Sequence, residues 1–132
     1  MKPSSKHIKD MLEDDSSLGL TFKDNLFIGI EPATPDNCVT IIDTPGGAVH
    51  LALQKKYSDY YYPSVQIRIR HNDYIIGWEL AEDIVISLHA RAGETWDSMY
   101  YTLVRCVNGP SKMDHDKNER YIFITNFEIQ RR

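Results

Sequence analysis

The chain holds only two cysteines, Cys38 and Cys106, in 132 residues. They stand far apart inside apolar runs, so they read as buried free thiols packing as small hydrophobes, not as a disulfide framework. No apolar run approaches the roughly 20 residues that cross a bilayer. Met1 to Asp15 lacks the apolar centre of a secretory signal. Both absences point to a product made in the cytoplasm, with no membrane partner. Basic residues are not in surplus either: 15 Lys and Arg face 19 Asp and Glu, a formal net charge of −4. Non-specific binding to DNA or to an anionic membrane wants the opposite balance, which leaves room only for a local basic patch.

Catalytic signatures are as scarce. The chain shows no G-x-S-x-G elbow and no P-loop pattern. His7, His50, His71, His89 and His115 are scattered, with no pair at the i, i+4 spacing of a zinc helix and no cysteine at ligand spacing. Asp114-His115-Asp116 is the one tight cluster, in a polar stretch where Asp and His are commonplace. Pro45-Gly46-Gly47 reads as a turn before it reads as an anion nest. Glu94 near Trp96 lacks the second carboxylate that glycoside hydrolysis needs. No catalytic residue, metal or cofactor is therefore expected, and the chain reads as one that works by assembling with other proteins.

What is present is globular. Hydrophobic residues make up 42% and charged residues 26%, close to the average for folded domains, and the length fits one domain over residues 1–132. Ile8, Met11 and Leu12 form an apolar stripe in a helix from Ser4 or Ser5 to Glu13, with either serine as its cap. Asp14-Asp15-Ser16-Ser17 marks its exit loop. Leu26–Ile30 and Cys38–Asp43 read as strands separated by a loop containing Pro32 and Pro35. Ala48–Pro63 is a long irregular excursion, with room for a hairpin or edge strand.

Ser64–Arg70 alternates Val65, Ile67 and Ile69 with Gln66, Arg68 and Arg70, which predicts a strand with one buried face. Asn72 or Asp73 then caps a helix from Tyr74 to about Arg91, stopped by Gly93. Tyr74, Trp78, Ala81, Val85 and Leu88 form its inner stripe, with Ile84 beside it. Tyr100–Val107 reads as a strand, Asn108-Gly109-Pro110 as a turn, and Ser111–Arg120 as a solvated connection. Arg120–Gln130 closes the chain as an antiparallel partner. Two helices cannot cover both faces of such a sheet. The fold class is α+β: a two-layer sandwich, mainly antiparallel, with two helices on one face, in the order α-β-β-loop-β-α-β-β.

Two features suit contact. Lys55, Lys56, Tyr57, Tyr60 and Tyr61 combine tyrosine area with positive charge, a pairing favoured in interfaces. The same loop tucked against its own domain is the plainer alternative. Arg68 and Arg70, with Arg105, could line a basic stripe. The favoured alternative pairs them with acidic residues such as Glu128 on the same face or across a subunit boundary.

The succession Asn25-Leu26-Phe27-Ile28-Gly29, Pro35-Asp36-Asn37-Cys38-Val39-Thr40-Ile41, Thr44-Pro45-Gly46-Gly47 and Pro63-Ser64-Val65-Gln66-Ile67-Arg68-Ile69-Arg70, followed by a helix at Asp73-Tyr74 and a closing strand pair, resembles the minor capsid or tail-terminator proteins of long-tailed bacteriophages. The order and spacing of these motifs carry the resemblance over nearly the whole chain. It implies a lambda-type tail-terminator fold and a hexameric ring in the virion neck. Such a ring caps the tail tube and meets a head-completion or connector protein, with DNA only passing through its lumen. It implies no enzymatic activity and no fixed functional residues. The Tyr-rich excursion is longer here than in the family. The competing readings are another neck protein such as a head-completion protein, a nucleic-acid-binding accessory protein, and a small metal-dependent enzyme.

Overall fold

The computed structural model describes residues 1–49, 59–113 and 115–132; Lys55, Lys56 and Tyr57 of the expected contact segment lie outside the described residues. Helix α1 spans Ser4–Asp14 and buries the Ile8, Met11 and Leu12 stripe completely. Neither Ser4 nor Ser5 caps it. Pro3 occupies the cap position with no side-chain bond, and both serines are buried inside the first turn. The missing cap comes from another strand. Asp43 accepts the Ser5 backbone N–H at 3.0 Å and the Ser5 hydroxyl at 2.6 Å, placing a carboxylate at the positive end of the helix dipole. Beyond α1, Asp15 accepts from the Ser17 N–H and caps a short 3-10 turn, Ser16–Leu18.

The strands are β1 (Leu26–Ile28), β2 (Cys38–Thr44), β3 (Ser64–His71), β4 (Glu94–Trp96), β5 (Met99–Lys112) and β6 (Tyr121–Arg131), with helix α2 (Tyr74–Leu88) between β3 and β4. They form one six-stranded sheet in the order β1-β2-β3-β6-β5-β4. Only β1 and β2 pair in parallel; the other neighbours are antiparallel. The fold is thus α+β, as expected. Period-two alternation sets the sheet's apolar side. Val39 lies across from Ile69 and Ile69 from Phe123, while Ile41 faces Ile67 and Val65 faces Phe127. All are fully buried. They join Ile8, Met11 and Leu12 of α1 and Ala81, Ile84 and Leu88 of α2 in one core. Each such side chain contributes roughly 1.5–3 kcal/mol on leaving water.

Helix α2 is capped by Asp73, whose carboxylate accepts the Ile76 N–H at 2.9 Å. It ends at Leu88, before the expected Arg91, because His89 is extended and Ala90 adopts a φ of 67°. Its buried line also differs from the expected stripe: it is Gly77, Ala81, Ile84 and Leu88, while Tyr74 is 40% exposed and Trp78 only half-buried. The helix is rotated by about 50° from the expected orientation, at about 100° per residue. The cause is Gly77, which lets the helix backbone approach Phe123 and His71.

The second half of the sheet holds two further departures. Residues 94–96 form a strand absent from the expected order: Asp97 and Ser98 both have positive φ and form a two-residue turn that pairs Trp96 with Met99, the geometry favoured in tight hairpins. Asn108-Gly109-Pro110 does not turn the chain either. It lies within β5, where the register against β6 shifts between Cys106 and Asn108 and again before Ser111. Pro110 is tolerated there because β4 pairs only as far as Tyr101, leaving that part of β5 at a sheet edge.

Candidate assembly surface

Among the described residues, the sheet's second face divides into a covered end and an open end. At the covered end Arg70 is 3% exposed. Its Nη2 donates to the Pro35 carbonyl at 2.6 Å and its Nε to the Asp36 carbonyl at 3.1 Å. Arg120 is also buried; its Nη1 donates to the Ala33 carbonyl at 2.8 Å and reaches Asp36 at 3.2 Å, while Asp116 takes its Nε at 2.8 Å. Arg68 pairs with Glu31 at 3.1 Å, and Glu31 also lies 3.5 Å from Arg70. Three guanidiniums thus hold the loop around the cis Thr34-Pro35 bond across the sheet. Arg70 is therefore not part of an exposed basic stripe: its charge is spent inside the molecule. Nor do Arg68 and Arg70 pair with Glu128, whose partner is Arg105 in an exposed pair on neighbouring strands.

At the open end, the Tyr61 N–H donates to the Arg131 carbonyl at 2.8 Å and the Arg131 N–H donates back at 3.0 Å. Residues 60–61 therefore continue the line of β3 along β6 as an isolated bridge. The Arg132 guanidinium stands 5.3 Å from the ring centres of both Tyr60 and Tyr100. Leu103, Arg105 and Val107 follow along β5, alternating with the inward Val104 and half-buried Cys106; Leu103 is 37% and Val107 40% exposed. A cleft of about 570 Å³ opens beside them, lined by Gly46, Gly47, Tyr62, Ser64 and Glu128 among others. Gly46 and Gly47 do not form a free anion nest. The Gly47 N–H donates to the Tyr62 carbonyl at 2.7 Å, and a Cβ at Gly46 would stand 2.2 Å from that oxygen.

Beneath the opposite face sits a buried polar cluster that no sequence pattern announces. His7, fully buried, meets the Tyr101 hydroxyl at 2.6 Å, and Arg131 donates to the same hydroxyl at 3.1 Å. His7 Nε2 lies 3.2 Å from Asp97 in the β4–β5 turn. Burial, then the Arg131 charge, lowers the His7 pKa below the ordinary histidine value. Asp97 also receives Lys6 at 2.6 Å and Lys2 at 3.3 Å, and these hydrogen-bonded ammoniums bring its pKa down to about 2. Burial raises both the Tyr101 hydroxyl and the Cys38 thiol.

Nothing in these groups is arranged for covalent or acid–base chemistry on a ligand. His7 and Tyr101 are sealed in the core, and Glu94 is paired with Arg91 at 3.0 Å. His115 is exposed and Asp114 lies outside the described residues. Among the described residues no group of three or more His, Cys, Asp or Glu could hold a metal ion, and no helix is long and apolar enough to cross a membrane.

A chain from the virion of a native gene transfer agent particle has the same fold, with a TM-score of 0.67 at 12% identity, over 94% of this chain and 90% of that one. No curated protein sequence matches. Residues 8–132 match the family model described as bacteriophage tail terminator protein, and the chain belongs to that family.

Proposed function

We propose that the protein, as one domain over residues 1–132, forms a closed ring in the virion neck. The ring is a hexamer that caps the finished tail tube and presents its outer end to a head-completion or connector protein. DNA passes through its lumen, and the chain performs no catalysis. The observation that carries this reading is the family match over residues 8–132. The geometry supports it in two ways. Both helices lie against one face of the sheet in a two-layer arrangement, so among the described residues no helix covers the open end of the second face. That end presents Tyr60, Tyr100, Arg105 and Arg132, residue types that interfaces favour. A ring built from one kind of subunit needs head-to-tail contacts that close.

The test is to add the purified full chain to tail tubes assembled without it, then determine the native mass at the tube end and image the ends by negative stain. A ring of about six copies at one end of each tube, with head joining restored, is the expected result. A single isologous dimer on the particle would overturn it. Binding to filled heads but not to tubes would move the chain to the head-completion position.

A further inference from the structure

Helix α2 has an outward line that its surroundings do not explain. At about 100° per residue, Ile75, Glu79, Glu82 and Ile86 share one side, about 130–190° around the helix from the buried line. Ile75 is 63% and Ile86 75% exposed, on the side of the helix that faces away from the core. Tyr74–Leu88 contains no lysine or arginine, and among the described residues Glu79, Glu82 and Asp83 have no ion pair. The surface is thus apolar at both ends and acidic in the middle. Isolated exposed isoleucines are ordinary; this pair is aligned along one side of a helix with unpaired acids between them.

The opposite side of the same molecule carries the complement. Leu103, Arg105 and Val107 run along β5 on the second face of the sheet, with Tyr100 and Arg132 at one end. Apolar residues again flank a charged centre, here the Arg105–Glu128 ion pair, and Arg132 at the end leaves the stripe with a net positive charge. Arg132 touches tyrosine rings and has no carboxylate partner among the described residues, and the Arg105–Glu128 pair is exposed. The lengths correspond: Ile75 to Ile86 spans about 16 Å of helix and Tyr100 to Val107 about 23 Å of strand. One surface faces out from the helical layer and the other from the side of the sheet that no helix covers among the described residues. A single molecule cannot bring them together, and two molecules joined this way still leave one of each unfilled.

We infer that the Ile75-Glu79-Glu82-Ile86 line of one copy docks across the Leu103-Arg105-Val107 stripe of the next, and that this is the head-to-tail contact of the ring. The inference rests on the ring proposed above and adds which surfaces meet. The net positive charge of the stripe against Glu79 and Glu82 favours one register, and the flanking apolar residues exclude water. The open chain of contacts ends only when the ring closes.

Two charge-reversed proteins test it. One carries Glu79→Lys and Glu82→Lys; the other carries Arg105→Glu and Arg132→Glu. All four side chains are at the surface, and unchanged melting curves establish that each protein folds. Alone, each set places like charges in every contact, and capping of tail tubes falls by more than about tenfold. Mixed one to one, the two proteins alternate: each lysine-bearing helix meets a glutamate-bearing strand, and each native helix meets a native strand. Rings and capping return. Ile86→Arg, which leaves the strand side intact, abolishes rings on its own. If either reversed set caps tubes as the native chain does, the contact lies elsewhere although the ring stands. If both fail alone and the mixture also fails, the two surfaces do not meet each other. If the native chain forms no closed ring on tubes, the proposed function falls, and this contact with it.

Discussion

Gly77 lies beneath Phe123: a Cβ built on the glycine would stand 2.7 Å from Phe123 Cε2 and 2.8 Å from the His71 Cβ. Alanine ordinarily gains up to about 1 kcal/mol over glycine inside a helix. Here the added methyl must displace a fully buried ring, and overpacking costs about 1–3 kcal/mol. Gly77→Ala should therefore lower the denaturation midpoint, against helix propensity. A raised midpoint would show that α2 can stand off the sheet.

Aromatic truncation should separate the two rings that meet beside this glycine. Phe123 is fully buried, so Phe123→Ala should cost about 3–5 kcal/mol. Trp78 packs edge-on to it at 5.9 Å between centroids but is only half-buried, so Trp78→Ala should cost roughly half as much. Urea melts of both variants give the ratio. Equal losses would place Trp78 in the core, as the sequence periodicity alone suggests.

The buried His7 gives stability a direction with pH. Its folded pKa is lowered, so the unfolded chain takes up a proton first as pH falls through about 6.5. The contribution is present above that value and is lost progressively below it, down through the folded pKa. His71, also lowered by burial, acts with the same sign. Melting temperature should fall between pH 7 and pH 5, and His7→Gln should flatten the fall without abolishing it. An unchanged slope in the variant would mean that His7 titrates alike in both states.

Arg70→Lys keeps the charge but cannot reproduce the fork that reaches two successive carbonyls. It should cost about 1.5–3 kcal/mol, the range for hydrogen bonds to charged groups, and should speed amide exchange in Cys38–Thr44 and its neighbours. Slow exchange in the variant would show that the loop is held without Arg70.

Tyr60→Ser removes one wall of the Arg132 stack without touching the core. The isolated chain should change by no more than about 0.5 kcal/mol, while tail capping should weaken. A chain that unfolds on this change yet assembles normally would make Tyr60 internal packing.

Much of the framework was legible because it is periodic. Val65, Ile67 and Ile69 in β3, and Phe123, Phe127 and Ile129 in β6, mark their inward face by alternation, and Asp73 announces the start of α2. The rotation of α2 was hidden because a glycine adds nothing to a hydrophobic count, yet Gly77 marks where the helix comes closest to the sheet. A three-residue strand such as β4 is too short to show a period, so only its Asp97-Ser98 turn could have revealed it. The candidate contact surface was harder to read. Arg68 and Arg70 adjoin in sequence on the polar side of β3, and only the fold shows that Arg70 is consumed by backbone carbonyls of residues 35 and 36. Arg132 and Tyr60 meet through strand pairing that no local pattern encodes.

The clamp on the Pro35 loop has an evolutionary consequence. Arg70 and Arg120 take hold chiefly of the carbonyls of Ala33, Pro35 and Asp36, and every amino acid supplies a carbonyl. Outward-pointing side chains at Ala33 and Thr34 can therefore be exchanged while the loop keeps its place. A lineage that must follow a changing neighbour can rewrite what this loop displays without renegotiating how it is held.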